Sequence, residues 1–171
     1  MKKYVAGVNP VMTAVAGEVA DGFAAHMFCT PTYLDRILRP ALARGAARAN
    51  RSAPPVLMPL VVGRDRDSLA LQMTTYTVPA YRRVLDESGL RDEADGILAA
   101  IADRRRNEAA RIIEERCLDQ LGVAVLDDLP ERVRLWSAHA DVIGLTVPWY
   151  GLDGAAQVAV FRDVLSALER M

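Results

Sequence analysis

Two histidines and two cysteines are the side chains of this sequence best suited to acid–base or nucleophilic chemistry. His26 follows the apolar run Phe23 to Ala25, so it stands where a short buried strand would end. At such a position an imidazole can donate a hydrogen bond to a ligand, or it can be a structural side chain bonded inside the sheet. The residues alone leave both interpretations of His26 open.

The other reactive or aromatic candidates also have two interpretations each. Cys29 could act as a nucleophile, but no histidine and acid can be assigned to it, and a buried free cysteine is commoner. His139 follows a helical segment, which predicts a favourable interaction with the carboxyl end of that helix. Trp149 and Tyr150 follow the last predicted strand, where they could wall a pocket, line its rim or anchor an interface.

The run Ala6, Gly7, Val8 and Asn9 is the second group of candidates. A glycine lets the backbone approach a ring or a phosphate, and a helix beginning after Asn9 would offer N–H groups to an anion. However, any tight turn between a strand and a helix needs a small residue and a capping residue. The pattern alone therefore does not separate a binding site from an ordinary turn.

Both groups of candidates are positioned by the stretch from Tyr4 to His26, which predicts a strand, a helix and a second strand. Asn9 suits the N-cap of the helix and Pro10 its first position. Apolar residues at helical spacing predict one buried stripe: Met12, Val15, Ala16 and Val19. A right-handed crossover would place the two strands in parallel, so the two groups would meet at the carboxyl edge of the sheet, where α/β folds bind ligands.

The rest of the chain predicts two further strands and several helices. A helix begins at Thr30 and Pro31, and Pro40 should kink it or begin a second segment. Residues 56–62 predict a third strand, in which Pro59 should make the hydrogen-bond ladder irregular. Residues 79–122 predict helices only, residues 142–147 a fourth strand, and the last helix an apolar stripe: Val158, Phe161, Leu165 and Leu168.

Three segments carry a resemblance to a known family: AGVNPVMTAVAGEVADG, CTPTYLDRILRPALARGAARA and DVIGLTVPWYGLD. Their order and spacing resemble the C-terminal half of the luciferase-like monooxygenase family, in particular its deazaflavin-dependent (coenzyme F-420) branch. The resemblance implies an α/β fold: the C-terminal half of a (β/α)8 TIM-type barrel, with about four parallel strands, flanking helices and a helical insert before the last strand. We expect one domain over residues 1–171, with the insert at about 79–122.

The resemblance also implies a function and a site. We expect a truncated or split flavin- or deazaflavin-dependent oxidoreductase that contributes part of the coenzyme-binding wall, with F-420 or FMN as coenzyme and a small organic substrate. The implied coenzyme-binding residues are Ala6, Gly7, Val8, Asn9 and His26, and no catalytic residue is implied. The alternative is a non-catalytic ligand-binding or interaction protein built on a half-barrel remnant.

Composition restricts the partners. The net charge of −1 over 171 residues provides no general attraction to nucleic acid or to an anionic membrane. No apolar stretch approaches a membrane span or a signal-peptide core, and two distant cysteines suggest free thiols, so we expect a cytoplasmic protein. Because four strands leave two open sheet edges, we also expect a homo-oligomer, a partner half-barrel, or coverage of the edges by the helical insert.

Overall fold

The computed structural model describes residues 2–171, which form a parallel sheet with helices around it. The strands are β1 (Tyr4–Ala6), β2 (Gly22–Ala24), β3 (Val56–Gly63), β4 (Val123–Val125) and β5 (Val142–Thr146). β1 pairs with β2, β2 with β3, and β3 with both β4 and β5, all in parallel. The predicted α/β fold is confirmed, and the row β1–β2–β3–β5 supplies the four strands of a half-barrel.

The helices lie between the strands and in one long insert. The α-helices are α1 (Pro10–Val19), α2 (Pro31–Tyr33), α3 (Arg39–Arg48), α4 (Arg66–Met73), α5 (Pro79–Glu87), α6 (Arg91–Ala102), α7 (Arg106–Ile112), α8 (Leu129–Ser137) and α9 (Gly154–Leu168). Wide π turns cover Leu34–Leu38 and Ile113–Cys117, and 3₁₀ turns cover Thr74–Tyr76, Leu118–Gln120 and Leu126–Asp128. Among the described residues, no helix combines the length and the apolar character that crossing a membrane requires.

Pro59 lies in the middle of β3 without interrupting the sheet. Pro59 faces the edge of β3 that pairs first with β2 and then with β4. The last hydrogen bond toward β2 runs from the Ala25 N–H to the Leu57 carbonyl oxygen. The first toward β4 runs from the Val61 N–H to the Gly122 carbonyl oxygen. Pro59 therefore falls in the gap between two successive partners, where no N–H is needed. The predicted irregular ladder is confirmed, although β3 is a central strand.

β4 was not predicted, because three residues carry no periodic signal. Its position depends on Arg132, whose guanidinium donates to the carbonyl oxygens of Asp119 (2.8 Å), Leu121 (2.6 Å) and Val123 (2.9 Å). This planar group satisfies three backbone acceptors at once, at the point where the insert returns to the sheet. Burial disfavours the charged guanidinium, and this desolvation lowers the pKa of Arg132.

The predicted stripe on α1 is wrong at three of its four residues: Met12, Val15 and Val19 are exposed, and only Ala16 is buried. The buried face consists of small residues: Thr13, Ala14, Ala16 and Gly17. The reason is a very close approach of α1 to α3. A Cβ atom on Gly17 would lie 2.2 Å from the Leu42 carbonyl oxygen, and one on Gly45 would lie 1.8 Å from that of Ala14.

Pro40 does begin a second helical segment, as predicted. The chain runs from α2 through the π turn Leu34–Leu38 directly into α3, in which Pro40 occupies one of the first two positions. A proline is tolerated there because the preceding turn is a wide π turn, in which the Arg39 N–H bonds to the Leu34 carbonyl, so the α-helical ladder is already interrupted before Pro40.

The predicted face of α9 is also wrong. The four residues expected to be buried are 42 to 51% exposed, and the helix instead packs through Val160, Val164 and Ala167 against Val62, Ala124 and Leu129. Apolar residues cover two adjacent faces of α9, and periodicity could not tell which face meets the sheet. Both α1, beside the outer strand β1, and α9, which follows the outer strand β5, thus present apolar stripes to solvent.

Candidate functional site

The carboxyl ends of β1 and β2 open into a cavity of about 310 Å³. Its lining comprises Ala6, Gly7, Val8, Asn9, Ala24, Ala25, His26 and Tyr81. All five residues implied as coenzyme-binding therefore meet in one place, and the protein's own side chains do not fill it. The parallel crossover through α1 is what brings them together, because it turns the ends of both strands to the same edge.

His26 is half-buried in this cavity and is held from several sides. Its Nδ1 accepts a hydrogen bond from the Phe28 N–H at 3.0 Å, while its ring packs edge-on to Tyr76 (4.5 Å between centroids) and tilted to Tyr81 (4.8 Å). Because Nδ1 is an acceptor, the neutral ring carries its proton on Nε2. No residue in the described part of the chain bonds to Nε2, so a ligand in the cavity can accept its hydrogen bond.

Burial determines the charge of this imidazole. Desolvation lowers the pKa of His26 from 6.5 to about 4. The ring is therefore neutral at pH 7 and acts as a hydrogen-bond donor rather than a cation. Both interpretations offered for His26 describe part of what the structure contains: one nitrogen is structural, and the other is available.

The turn after β1 is fixed by contacts within the protein. The Tyr33 hydroxyl donates to the Val8 carbonyl oxygen at 2.9 Å, and burial raises the pKa of Tyr33 to about 12, so it stays a donor. A Cβ atom on Gly7 would lie 3.3 Å from that of Met12, so packing accounts for this glycine without a ligand. The backbone N–H groups of Val8 and His26 donate to no acceptor among residues 2–171.

At the start of α1, contacts within the protein occupy the N–H groups that the sequence offered as possible donors to an anion. Asn9 Oδ1 accepts from the N–H groups of Val11 (3.1 Å) and Met12 (2.9 Å), and the Asn9 carbonyl accepts from Thr13 N–H. Pro10 has no N–H. The N–H groups of the first turn of α1 are thus taken or missing, so this turn offers no free donor to a phosphate.

Sequence reasoning missed the two tyrosines that pack on His26, one just before the helical insert and one within it. Tyr76 and Tyr81 lie about fifty residues beyond His26 and reach it only through the tertiary fold. Gln72 was also missed. It is completely buried beside Leu69 and Met73 on α4, and a glutamine on an apolar face is a signal that the sequence does contain.

The remaining candidates lie elsewhere. Cys29 is fully buried, and desolvation raises its pKa to about 12, which rules out a thiolate nucleophile at neutral pH. His139 follows α8 and bonds through Nδ1 to Asp35 at 2.7 Å. Trp149 is 54% exposed in the loop after β5 and does not line the His26 cavity.

Residues 3–139 match the luciferase-like monooxygenase family, and the chain belongs to that family. Uncharacterised proteins of Mycobacterium tuberculosis and Mycobacterium bovis are each 37% identical to it over 101 residues, an alignment that covers 52% of this chain and 30% of each relative.

Solved structures show the same fold at low sequence identity. The coenzyme F420 dependent tetrahydromethanopterin reductase from Methanopyrus kandleri superposes with a TM-score of 0.73 at 19% identity, over 99% of this chain and 50% of the reductase. An F420-dependent secondary alcohol dehydrogenase in complex with an F420-acetone adduct gives a TM-score of 0.53 at 16% identity, over 96% and 48%. The chain thus spans about half the length of these enzymes.

Proposed function

We propose that this chain forms one wall of the coenzyme site of a luciferase-like oxidoreductase that uses F-420 or FMN. The observation that carries the proposal is the open cavity at the ends of β1 and β2, with the neutral imidazole of His26 facing it. Family membership and the two F420-dependent enzymes of the same fold support the class of coenzyme.

The residues of the cavity fit a flat, uncharged ring system. Ala6, Ala24 and Ala25 leave room beside the backbone, and the ring of Tyr81, packed against Tyr76, provides an apolar wall. His26 Nε2 and the free N–H of Val8 would donate to carbonyl oxygens or ring nitrogens of the coenzyme. A volume of about 310 Å³ is at the lower end of the range of about 300 to 1,000 Å³ for small-molecule sites, as expected for part of a site. The coenzyme itself would supply hydride transfer.

The first test is direct binding. We expect His26→Ala to weaken the binding of F-420 or FMN about tenfold, because one hydrogen bond and one ring contact are lost. Titrations of the purified chain with oxidised and reduced forms of both coenzymes, followed by fluorescence and thermal shift, measure this affinity.

His139→Ala is the matched control, since it removes the other histidine, which precedes β5 at the opposite end of the sheet. Equal affinities of wild type and His26→Ala would remove His26 from the site. A well-folded chain that binds neither coenzyme would favour the alternative function, a non-catalytic ligand-binding or interaction protein.

We further propose that a second copy of the chain completes the barrel. β1 and β5 each have a strand on one side only, and α1 and α9 carry unpacked apolar stripes next to them. If a twofold axis paired β5 of each copy with β1 of the other, eight parallel strands would close, and only the three-residue β4 of each copy would keep an unpaired edge. The helical insert packs chiefly on α2 and α4, so it does not take the place of a second copy at the open edges of β1 and β5. A separate half-barrel chain is the alternative occupant.

A further inference from the structure

We propose that Gln72 is the positioning residue of the candidate site: its buried amide holds the loop after β5 and the tyrosine that packs on His26 in one fixed arrangement. The relevance of that arrangement to catalysis rests on the proposed function. The arrangement itself can be tested without any ligand. Gln72 is 0% exposed, and both ends of its side-chain amide form hydrogen bonds.

The carbonyl end of the Gln72 side chain holds the loop. Its Oε1 accepts from the backbone N–H groups of Trp149 at 2.9 Å and Tyr150 at 2.8 Å. Two consecutive N–H groups thus converge on one oxygen, which fixes the direction of the backbone where it leaves β5. Without Gln72 these N–H groups would have to find water or remain unpaired.

The amino end of the same amide holds the tyrosine. Gln72 Nε2 donates to the Tyr76 hydroxyl at 3.3 Å and to Thr75 Oγ1 at 3.5 Å. The Tyr76 ring in turn packs edge-on against His26. A continuous set of contacts therefore runs from the Trp149 backbone through Gln72 and Tyr76 to the imidazole that lines the cavity.

Arg106 provides a second clamp on the same loop. Its guanidinium lies over the Tyr150 ring at 5.2 Å and donates to Thr74 Oγ1 at 2.9 Å. Arg106 belongs to the charged run from Asp103 to Glu108 and is the first residue of α7. Since α4, α7 and the β5 loop all meet around Gln72, this amide is the point at which the insert and the last strand are aligned.

Three variants distinguish the role of the Gln72 carbonyl oxygen from that of its amino group. Gln72→Met keeps the volume of the side chain and removes both sets of hydrogen bonds. Tyr76→Phe removes only the hydroxyl that links Gln72 to the His26 side. Thr75→Val is the matched control, because it removes the other acceptor of Nε2, whose hydroxyl donates to the Gln72 backbone carbonyl and bonds to neither His26 nor the loop within residues 2–171. Gln72→Asn, one methylene shorter, replaces Gln72→Met if that variant does not fold.

The measurements are amide hydrogen exchange and the imidazole proton signals of His26 by NMR, on the ligand-free chain. We expect Gln72→Met to accelerate exchange at Trp149 and Tyr150 about tenfold and to shift the His26 signals, while Thr75→Val changes neither. Tyr76→Phe should shift the His26 signals and leave the two amides slow. Unchanged exchange in Gln72→Met, or His26 signals that do not move, would overturn the inference.

A final titration with F-420 and FMN distinguishes this inference from the proposed function. If the wild type binds, Gln72→Met should bind about tenfold more weakly with His26 still in place, and Thr75→Val should bind as the wild type does. If the wild type binds neither coenzyme, the proposed function fails, while the ligand-free measurements still decide the role of Gln72.

Discussion

His26 can keep its place only while its Nδ1 carries no proton. The Phe28 N–H points at that nitrogen, and two tyrosine rings replace the water that would stabilise a positive charge. Protonation would turn an acceptor into a donor facing another donor. The same contacts that orient the ring thus also make it a neutral group over the whole physiological range of pH.

The lowered pKa of His26 predicts a pH-dependent stability. The folded-state pKa of about 4 lies below the ordinary 6.5, so the contribution of the neutral ring is complete above pH 6.5 and is lost as pH falls toward 4. Relative to His26→Gln, which does not titrate, we expect the free energy of unfolding of the wild type to fall by roughly 2 kcal/mol between pH 7.5 and 4, after allowance for partial exposure. Urea denaturation at both pH values measures it.

The difference between the two proteins isolates His26, because all other titrating groups are common to both. A difference that stays constant from pH 7.5 to 4 would show that the imidazole is not buried as described.

The five residues implied as coenzyme-binding meet at one cavity because backbone geometry alone determines where they go. Ala6 to Asn9 and His26 follow two strands joined by a crossover, and the sequence shows both strand ends. The partners of His26 were not predictable in the same way. Tyr76 and Tyr81 depend on how a helical insert docks on the sheet, and docking is a property of packing rather than of local pattern.

Among the elements, α1 and α3 form the tightest pair. Gly17 and Gly45 let the two backbones approach until a Cβ atom would overlap a carbonyl oxygen. Gly45→Ala should therefore destabilise the protein by about 2 kcal/mol or more, because the helices must separate to accept one methyl group. Thermal and urea denaturation measure the change in the free energy of unfolding.

Gly154→Ala is the control for that substitution. Gly154 is the first residue of α9, and a Cβ atom there would have no neighbour within 4 Å. We expect this variant to be neutral or slightly stabilising, since alanine favours a helix over glycine. If Gly45→Ala and Gly154→Ala were equally stable, the close approach of α1 to α3 would be refuted.

The positions of the main helices and of four of the five strands were predictable, but the three-residue β4 and the buried faces of α1 and α9 were not. Asn9 with Pro10, and Thr30 with Pro31, mark helix starts through capping chemistry, and both caps form as expected. Each misassigned helix has more than one face that can be buried: small residues compete with the apolar stripe on α1, and two apolar faces compete on α9. The sequence shows the helical periodicity of each apolar face, whereas tertiary contacts determine which face is buried.

For the whole molecule, the exposed stripe of α9 tests whether two copies associate. We expect the wild type to be a dimer in light scattering and Leu165→Lys to be a monomer, because a charge in the stripe would have to be buried at the interface. Ser166→Lys, one residue further on the polar face of the same helix, should leave the dimer intact.

A monomeric wild type at tens of micromolar protein would contradict the pairing of two copies. Mixing with a separate luciferase-like half-barrel would then test the other occupant, with a stable 1:1 complex as its signature.

The saturated start of α1 has a consequence for which part of a ligand this chain can sense. Asn9 occupies the N–H groups of the first turn, and His26 is neutral. The cavity therefore offers hydrogen bonds to the atoms of a heterocycle but no positive charge that would attract an anionic tail. Riboflavin and FMN, which share one ring system and differ by a phosphate, should therefore bind to this chain alone with similar strength, and added salt should scarcely alter either affinity.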